Sequence, residues 1–359
     1  MADKKILFKI ILAVFLLNVS LSAKAFCSES GEDKDEQFNP GTFILEHIGD
    51  AYNWHILSYK EHHVSIPLPV VLYSKQSGLN VFMSSKFHHG HSKHKGFYIA
   101  TEGEHKGKIV ELSSAGVEQR PALDISITKN VLALFVSIAI ILWVFLSVAK
   151  VYINRGNKAP KGLQSWVEPV ILFVRDDIAR PAIGHKYNNF MPYLLTLFFF
   201  ILVNNLMGLI PIFPFGANIT GNIAITLILA LITFIITMFS STKTYWVHIF
   251  NTPGVPWWLK IPLPLMPFVE VMGIFIKPFV LMVRLFANIT AGHIIMIGFF
   301  SLIFLFGKMS IAMGYGVSVI SVLFTVFMSF LELLVAFIQA YVFTLLSALY
   351  FGMAVEEHH

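Results

Sequence analysis

Hydrophobic positions in this chain gather into long runs, and five of the runs are long enough to cross a bilayer. The first extends from about Asn130 to Tyr152, the second from Tyr193 to Ile212, and the third from Ile219 to Phe239. The fourth and fifth, near 268–306 and 315–351, each hold about 38 residues, roughly 55 Å as helix against about 30 Å of hydrocarbon. Helices of that length must tilt steeply or kink to stay buried. The segment GKMSIAMG between them predicts a short turn that closes an antiparallel hairpin. A further segment, GLQSWVEPVILFVRDDIARP (162–181), is shorter and amphipathic, which suits a helix lying in the membrane interface. The pattern predicts an all-α polytopic membrane protein of five membrane helices and one interfacial helix. Its last two spans form the long, tilted hairpin.

The N-terminal third reads differently. Lys4, Lys5 and Lys9 precede a short apolar core from Ile10 to Val19 and the small-residue pattern Ala23-Lys24-Ala25, which predicts a cleavable signal peptide over 1–25. Residues 26–125 are polar, beginning with an acidic run from Glu29 to Glu36. The later stretches VSIPLPVVLY and GFYIA carry the β-branched and aromatic bias of short strands. His62, His63, His88, His89, His91 and His94 cluster here; with no fixed scaffold or second shell in view, a solvated loop is expected rather than a metal site. The expected organisation is a signal peptide (1–25), an exported polar, His-rich extension (26–125) and a membrane domain (126–359).

Composition narrows the class. Of 359 residues, 56% are hydrophobic, 13% are charged and 34 are Phe, and the mean hydropathy is +0.70. The net charge of +5 is modest and sits in loops between apolar runs, so it speaks for orientation and not for nucleic acid. Arg155, Lys158, Lys161, Arg175, Arg180 and Lys186 lie between the first two spans, and Lys243 and Lys260 follow the third. The excess of positive charge places these loops and the C-terminus in the cytoplasm, with the N-terminal region outside. A single cysteine, Cys27, excludes an intramolecular disulfide framework, no phosphate-binding loop is present, and no cofactor is called for.

Charges inside the fourth run set the chemistry. Glu270, Lys277, Arg284, Asn288 and His293 interrupt an otherwise apolar stretch. A charge at the bilayer centre costs about 2.5–3.5 kcal/mol, and guanidinium cannot escape that cost by losing its proton. The fifth run holds Glu332 and Gln339. In an antiparallel hairpin, the pairings His293 with Glu332 and Arg284 with Gln339 fall within two residues of one register. Nine residues, roughly 13 Å along a helix, separate Arg284 from His293. Singly, His293 reads as a core histidine, Gln339 as an interhelical hydrogen bond and Glu332 as a neutralising partner. Together, four polar groups at matched depth leading to an unpartnered arginine read as a proton-accessible half-channel.

These motifs also point to a family. MVRLFANITAGH in the fourth span, NLMGLIP in the second and FIQAYVFTLLSALYF in the fifth resemble subunit a of F-type ATP synthases, over about 125–352. The resemblance implies that Arg284 faces the rotating ring of c subunits and meets each ring carboxylate. It puts Asn288, His293, Glu332 and Gln339 on the ion-access path from outside, and Glu270 near the exit. It further implies a stator role beside a b-subunit stalk and the rest of the synthase, in a bacterial inner membrane. Many bacterial relatives carry Glu at the place of His293 and His at that of Glu332; the exchange seen here is the mitochondrial arrangement. Gly208 stands where relatives often carry an acid.

Two other classes compete. A stand-alone ion-coupled secondary transporter would use Arg284 as a substrate or counter-ion site, but no internal repeat or matching broken helices support it. An intramembrane hydrolase would need a nucleophile beside its base, for which Ser329 near Glu332 is the sole hint.

Overall fold

The computed structural model describes residue 41 and residues 49–356, apart from 60–61, 91, 102, 113–117, 156–160, 211–214 and 251–264. The expected signal peptide, the acidic run, His91 and the side chains of His62, His63, His88 and His89 lie outside the described residues. The chain divides into two compact units, Met1–Val136 with Ile210–Ala217, and Ser137–Leu209 with Asn218–His359.

The first unit is built of short antiparallel strands, as the β-branched bias predicts. β1 (Asn53–Tyr59) pairs with β2 (His62–Pro67). β3 (Pro69–Ser74) lies between β4 (Gly78–Met83) and β8 (Leu123–Asp124). β5 (Phe97–Ile99), β6 (Ile109–Leu112) and β7 (Glu118–Gln119) form a third small sheet. The turn from β3 to β4 closes on Gly78 at φ 70, where a Cβ would be strained. Alternation sends Val70 and Leu72 of β3 inward, against Tyr52, Phe87, Phe97 and Ile109. The Tyr52 hydroxyl donates to Asp124 at 2.5 Å, and burial together with this bond pushes its pKa up. The His-rich stretch, expected as a solvated loop, holds regular structure among its described residues. Ser84–Gly90 winds into a 3-10 helix because Phe87 is fully buried, and the His94 ring packs edge-on against Phe82 at 4.9 Å.

The second unit is helical. α1 (Lys129–Arg155) contributes its length from Ser137 onward. α2 (Leu163–Phe173) runs through a π turn (Val174–Ala179) into α3 (Arg180–Ile183), and a 3-10 turn (Gly184–Lys186) leads to α4 (Tyr187–Leu209). α5 (Ile223–Ser240), α6 (Lys243–Phe250), α7 (Leu265–Met309) and α8 (Ile311–Val355) follow. Five helical segments among the described residues are long and apolar enough to span: Lys129–Ile153, Leu163–Leu209, Ile223–Ser240, Pro267–Met309 and Ile311–Val355. The amphipathic segment is helical as expected, and it is continuous with the second span except for a bend at Gly184, whose φ of 71 favours glycine. On it, Asp176 accepts from both Arg175 and Arg180 at 2.8 Å.

α7 and α8 make the hairpin, each with 45 residues and about 67 Å long. The turn expected over 307–314 shrinks to Ser310, since helix continues on both sides of it. Two glycines permit this: a Cβ on Gly314 would stand 2.8 Å from the Gly307 Cα. The register matches the expected one. The Ser329 hydroxyl donates to the Met296 sulfur at 3.5 Å, and Phe299 stacks on Phe324 at 5.2 Å. Behind the hairpin, α4 packs on α8 through Leu194, Leu197, Phe198 and Ile201 against Ala340, Phe343 and Phe351.

Gly352 near the end of α8 touches the α3 backbone so closely that a Cβ there would overlap the Ala182 carbonyl oxygen. Gly352→Ala is therefore expected to push α8 off α3 at a cost of about 1–3 kcal/mol, seen as a lowered unfolding temperature of the purified protein.

Candidate functional site

The polar residues of the hairpin meet a third helix. Asn288, Ile289 and His293 of α7, Glu332, Val335 and Ala336 of α8, and Asn205 with Leu209 of α4 line a cavity of about 10 Å³, near the room that one water needs. Glu332 is buried, and its carboxylate lies against Gly292; any Cβ at Gly292 would collide with Oε1. Neither Glu332 oxygen has a hydrogen-bond partner among the described residues. Its remaining outlet is the cavity, where His293 also stands.

Asn205 ties the site together and was not singled out from the sequence. Its amide nitrogen donates to the Ala336 carbonyl at 3.2 Å, and its oxygen accepts from the Thr220 hydroxyl at 2.7 Å. Next to it, the Asn204 amide donates to the Phe200 carbonyl at 2.7 Å, while its oxygen has no partner among the described residues. The signal available in the sequence, and not used, is two consecutive amides in an apolar span, which membrane helices keep only with partners.

Arg284 sits apart from this cavity. It is exposed on the same face of α7 as Val280, Ala287, Asn288 and Ala291. No hydrogen bond or ion pair reaches its guanidinium among the described residues. Gln339, expected at its depth, is buried next to Ala340 of the helical core, whereas Arg284 is exposed. The small Ala287 and Ala291 leave Arg284 open to a close neighbour.

A second cavity, of about 20 Å³, lies on the opposite side of Arg284 along α7. Thr233, Thr237, Tyr245, Lys277 and Tyr350 supply its polar lining, with Ile274 and Pro278 beside them. Pro278 has no N–H to give the Ile274 carbonyl, which loosens the helix at this wall. The Lys277 ammonium stands 5.6 Å over the Tyr350 ring. Tyr193 and Thr233 share a hydrogen bond of 2.7 Å just behind. Glu270, two helical turns beyond Lys277, acts on both Lys277 and Tyr245; burial first, and then the Glu270 charge, push the Tyr245 phenol up. Of the six residues singled out from the sequence, Asn288, His293 and Glu332 share one cavity. Arg284 lies between the cavities, Glu270 lies beyond the second, and Gln339 is packed in the core.

The family described as ATP synthase A chain matches residues 131–352. A family described only as a domain of unknown function matches residues 43–130. The chain is 44% identical over 244 residues to ATP synthase subunit a of Chloroherpeton thalassium, covering 66% of this chain and 69% of that one. It is 47% identical over 241 residues to ATP synthase subunit a 2 of Chlorobaculum tepidum, covering 65% of this chain and 64% of that one. ATP synthase subunit a of Anaeromyxobacter sp. is 38% identical over 264 residues, covering 70% and 60%. The chain thus spans about two thirds of the length of the curated relatives it matches. With more than half of its residues inside the first of these families, the chain belongs to the ATP synthase A chains.

Proposed function

We propose that this chain is the stator subunit that conducts protons to and from the carboxylates of a rotating c-subunit ring. In that role it couples their flow to ATP synthesis and holds no nucleotide itself. The observation that carries the reading is the pair of small cavities along α7, each with polar side chains in its lining, one on either side of an exposed Arg284 that makes no ion pair among the described residues. Along the axis, Lys277 is about 10 Å from Arg284 on one side, and His293 about 13 Å on the other. Neither cavity reaches across about 30 Å of hydrocarbon alone. A proton from outside enters by way of Asn288, His293 and Glu332 and neutralises a ring carboxylate, which then turns into lipid. After nearly a full rotation, the carboxylate gives its proton to the second cavity, past Tyr245 and Glu270, to the cytoplasm. The Arg284 charge favours the ionised carboxylate at that point and stands as a barrier to direct proton passage. Gln339 supports the access side from the core.

In this reading the chain lies in a bacterial inner membrane beside a b-subunit stalk. Residues 1–25 are a removed signal peptide, 26–125 an exported extension, and 126–359 the membrane domain with a cytoplasmic C-terminus. The positive loops after the first and third spans support that orientation. Co-purification tests the reading. A tag on this chain is expected to retrieve a ring oligomer and a soluble ATPase in one particle. Retrieval of the chain alone, with ion transport retained, would overturn it and leave the stand-alone transporter.

A further inference from the structure

One face of the β4–β3–β8 sheet in the first unit is apolar apart from the Tyr73 hydroxyl. The β3–β4 register sets Tyr73 beside Leu79, Val71 beside Val81 and Pro69 beside Met83. On the other side, Leu123 pairs with Tyr73, and the strand continues past β8, with the Ile125 amide bonded to the Val71 carbonyl and the Ile127 amide to the Pro69 carbonyl. Alternation then brings Leu123, Ile125 and Ile127 to the same face as Val71 and Tyr73. The result is a grid of three rows and three strands whose one polar side-chain group is the Tyr73 hydroxyl. The inward face carries the buried Val70, Leu72, Ser74 and Ser126 and the half-buried Asp124. Leu79, Val81 and Ile125 are 67%, 58% and 65% exposed, so among the described residues nothing covers these positions, while Pro69, Val71 and Ile127 are half-buried.

A soluble domain does not leave such a patch to water without a partner. We propose that this face is seated in the interfacial layer of the bilayer that α1 crosses, on the side where the domain lies. Chain continuity is the first argument. Ile127 in the last row is two residues before Lys129, where α1 begins, a reach of about 7 Å, and Leu123 in the first row is within about 20 Å. The headgroup layer on each side of the hydrocarbon is about 5–8 Å deep, so a domain tethered this closely sits against it. The second argument is chemical. The grid has no side-chain donor or acceptor besides the Tyr73 hydroxyl, whereas protein interfaces carry about one hydrogen bond per 100–200 Å². The exposed Lys75 and Lys86 bracket β4, placed to meet lipid phosphates at the rim. An amphipathic sheet face, apolar inside a basic rim, has the composition that interfacial helices use. The proposal rests on α1 as a span and stands independently of the proton-path reading.

The test uses the full-length chain in its native assembly, reconstituted into vesicles of phosphatidylethanolamine and phosphatidylglycerol. In a Cys27→Ser background, Val81→Cys is labelled with an environment-sensitive fluorophore, and Glu104→Cys, on an exposed turn of the same unit, is the reference. Brominated acyl chains are expected to quench the label at 81 by about half and to leave that at 104 unchanged, while aqueous iodide does the reverse. Iodide quenching at 81 equal to that at 104 would overturn the proposal, because the face would then be in water. Shielding of 81 from both quenchers would overturn it too, because a protein surface or another segment of this chain would then be the occupant. A Leu79→Cys label, in the first row, repeats the measurement should the Val81 variant not assemble.

Discussion

Arg284→Ala is expected to abolish proton-driven ATP synthesis in complexes that still assemble. Arg284 is exposed and makes no ion pair among the described residues, so the fold of this chain does not depend on it. In the proposed role its charge acts outward. At about 4 Å and an effective dielectric near 20, a fixed positive charge stabilises a facing carboxylate by about 4 kcal/mol, or roughly three powers of ten in its ionisation. On the proposed mechanism, its removal leaves a ring carboxylate protonated while it passes the stator and takes away the barrier between the two cavities. Proton conductance through the membrane sector should persist or rise while coupling is lost. Arg284→Lys keeps the charge as a compact, more strongly hydrated point and should rescue poorly. The measurement is ATP synthesis driven by an imposed proton gradient, alongside recovery of the ring and the soluble ATPase on a tag. Full synthesis in assembled particles would sink the assignment.

Glu332→Gln is expected to lower the proton-driven rate by about tenfold or more, with a changed pH profile, and without loss of fold. Glutamine fills the same space and carries no net charge to bury. The carboxylate oxygens have no protein partners to lose among the described residues, so the fold should tolerate the exchange. What disappears is a group able to bind and release a proton in a cavity with room for about one water. His293→Ala removes the other titratable side chain at that depth and should depress the rate similarly. The double substitution should cost little more than either single one if the two form one relay. Wild-type pH profiles in both single variants would show that Glu332 serves only to neutralise His293.

The register of the hairpin was legible in the sequence because it follows from periodicity alone. Two long apolar helices with a short connection must lie antiparallel, and that matches His293 with Glu332 in depth, as the Met296–Ser329 and Phe299–Phe324 contacts bear out. The connection itself was misjudged by several residues. Gly307 and Gly314 suggested a turn, but in a hairpin this tight they serve as the close-contact pair that lets both helices run on to Ser310. The amphipathic stretch at 162–181 was seen as helix, yet its junction to the next span depended on Gly184, one residue in a loop of mixed composition.

Apolar length, the charges that interrupt it and the strand bias of the N-terminal segment are properties of contiguous residues, so they could be read along the chain without knowing what packs where. The five spans, the hairpin, the polar residues of α7 and α8 and the family all came from that level. Which of those residues meet in space did not. Asn205 enters the cavity because α4 crosses α8 at Ala336, and Gly292 matters because it is where the Glu332 carboxylate comes to rest. Gln339 is buried while Arg284, at a matching level, is exposed, and the apolar grid of the first unit exists only once β8 is paired to β3. These are relations between segments far apart in the chain, set by packing and register, and a linear pattern carries depth along a helix but not the direction in which a side chain finds its neighbour.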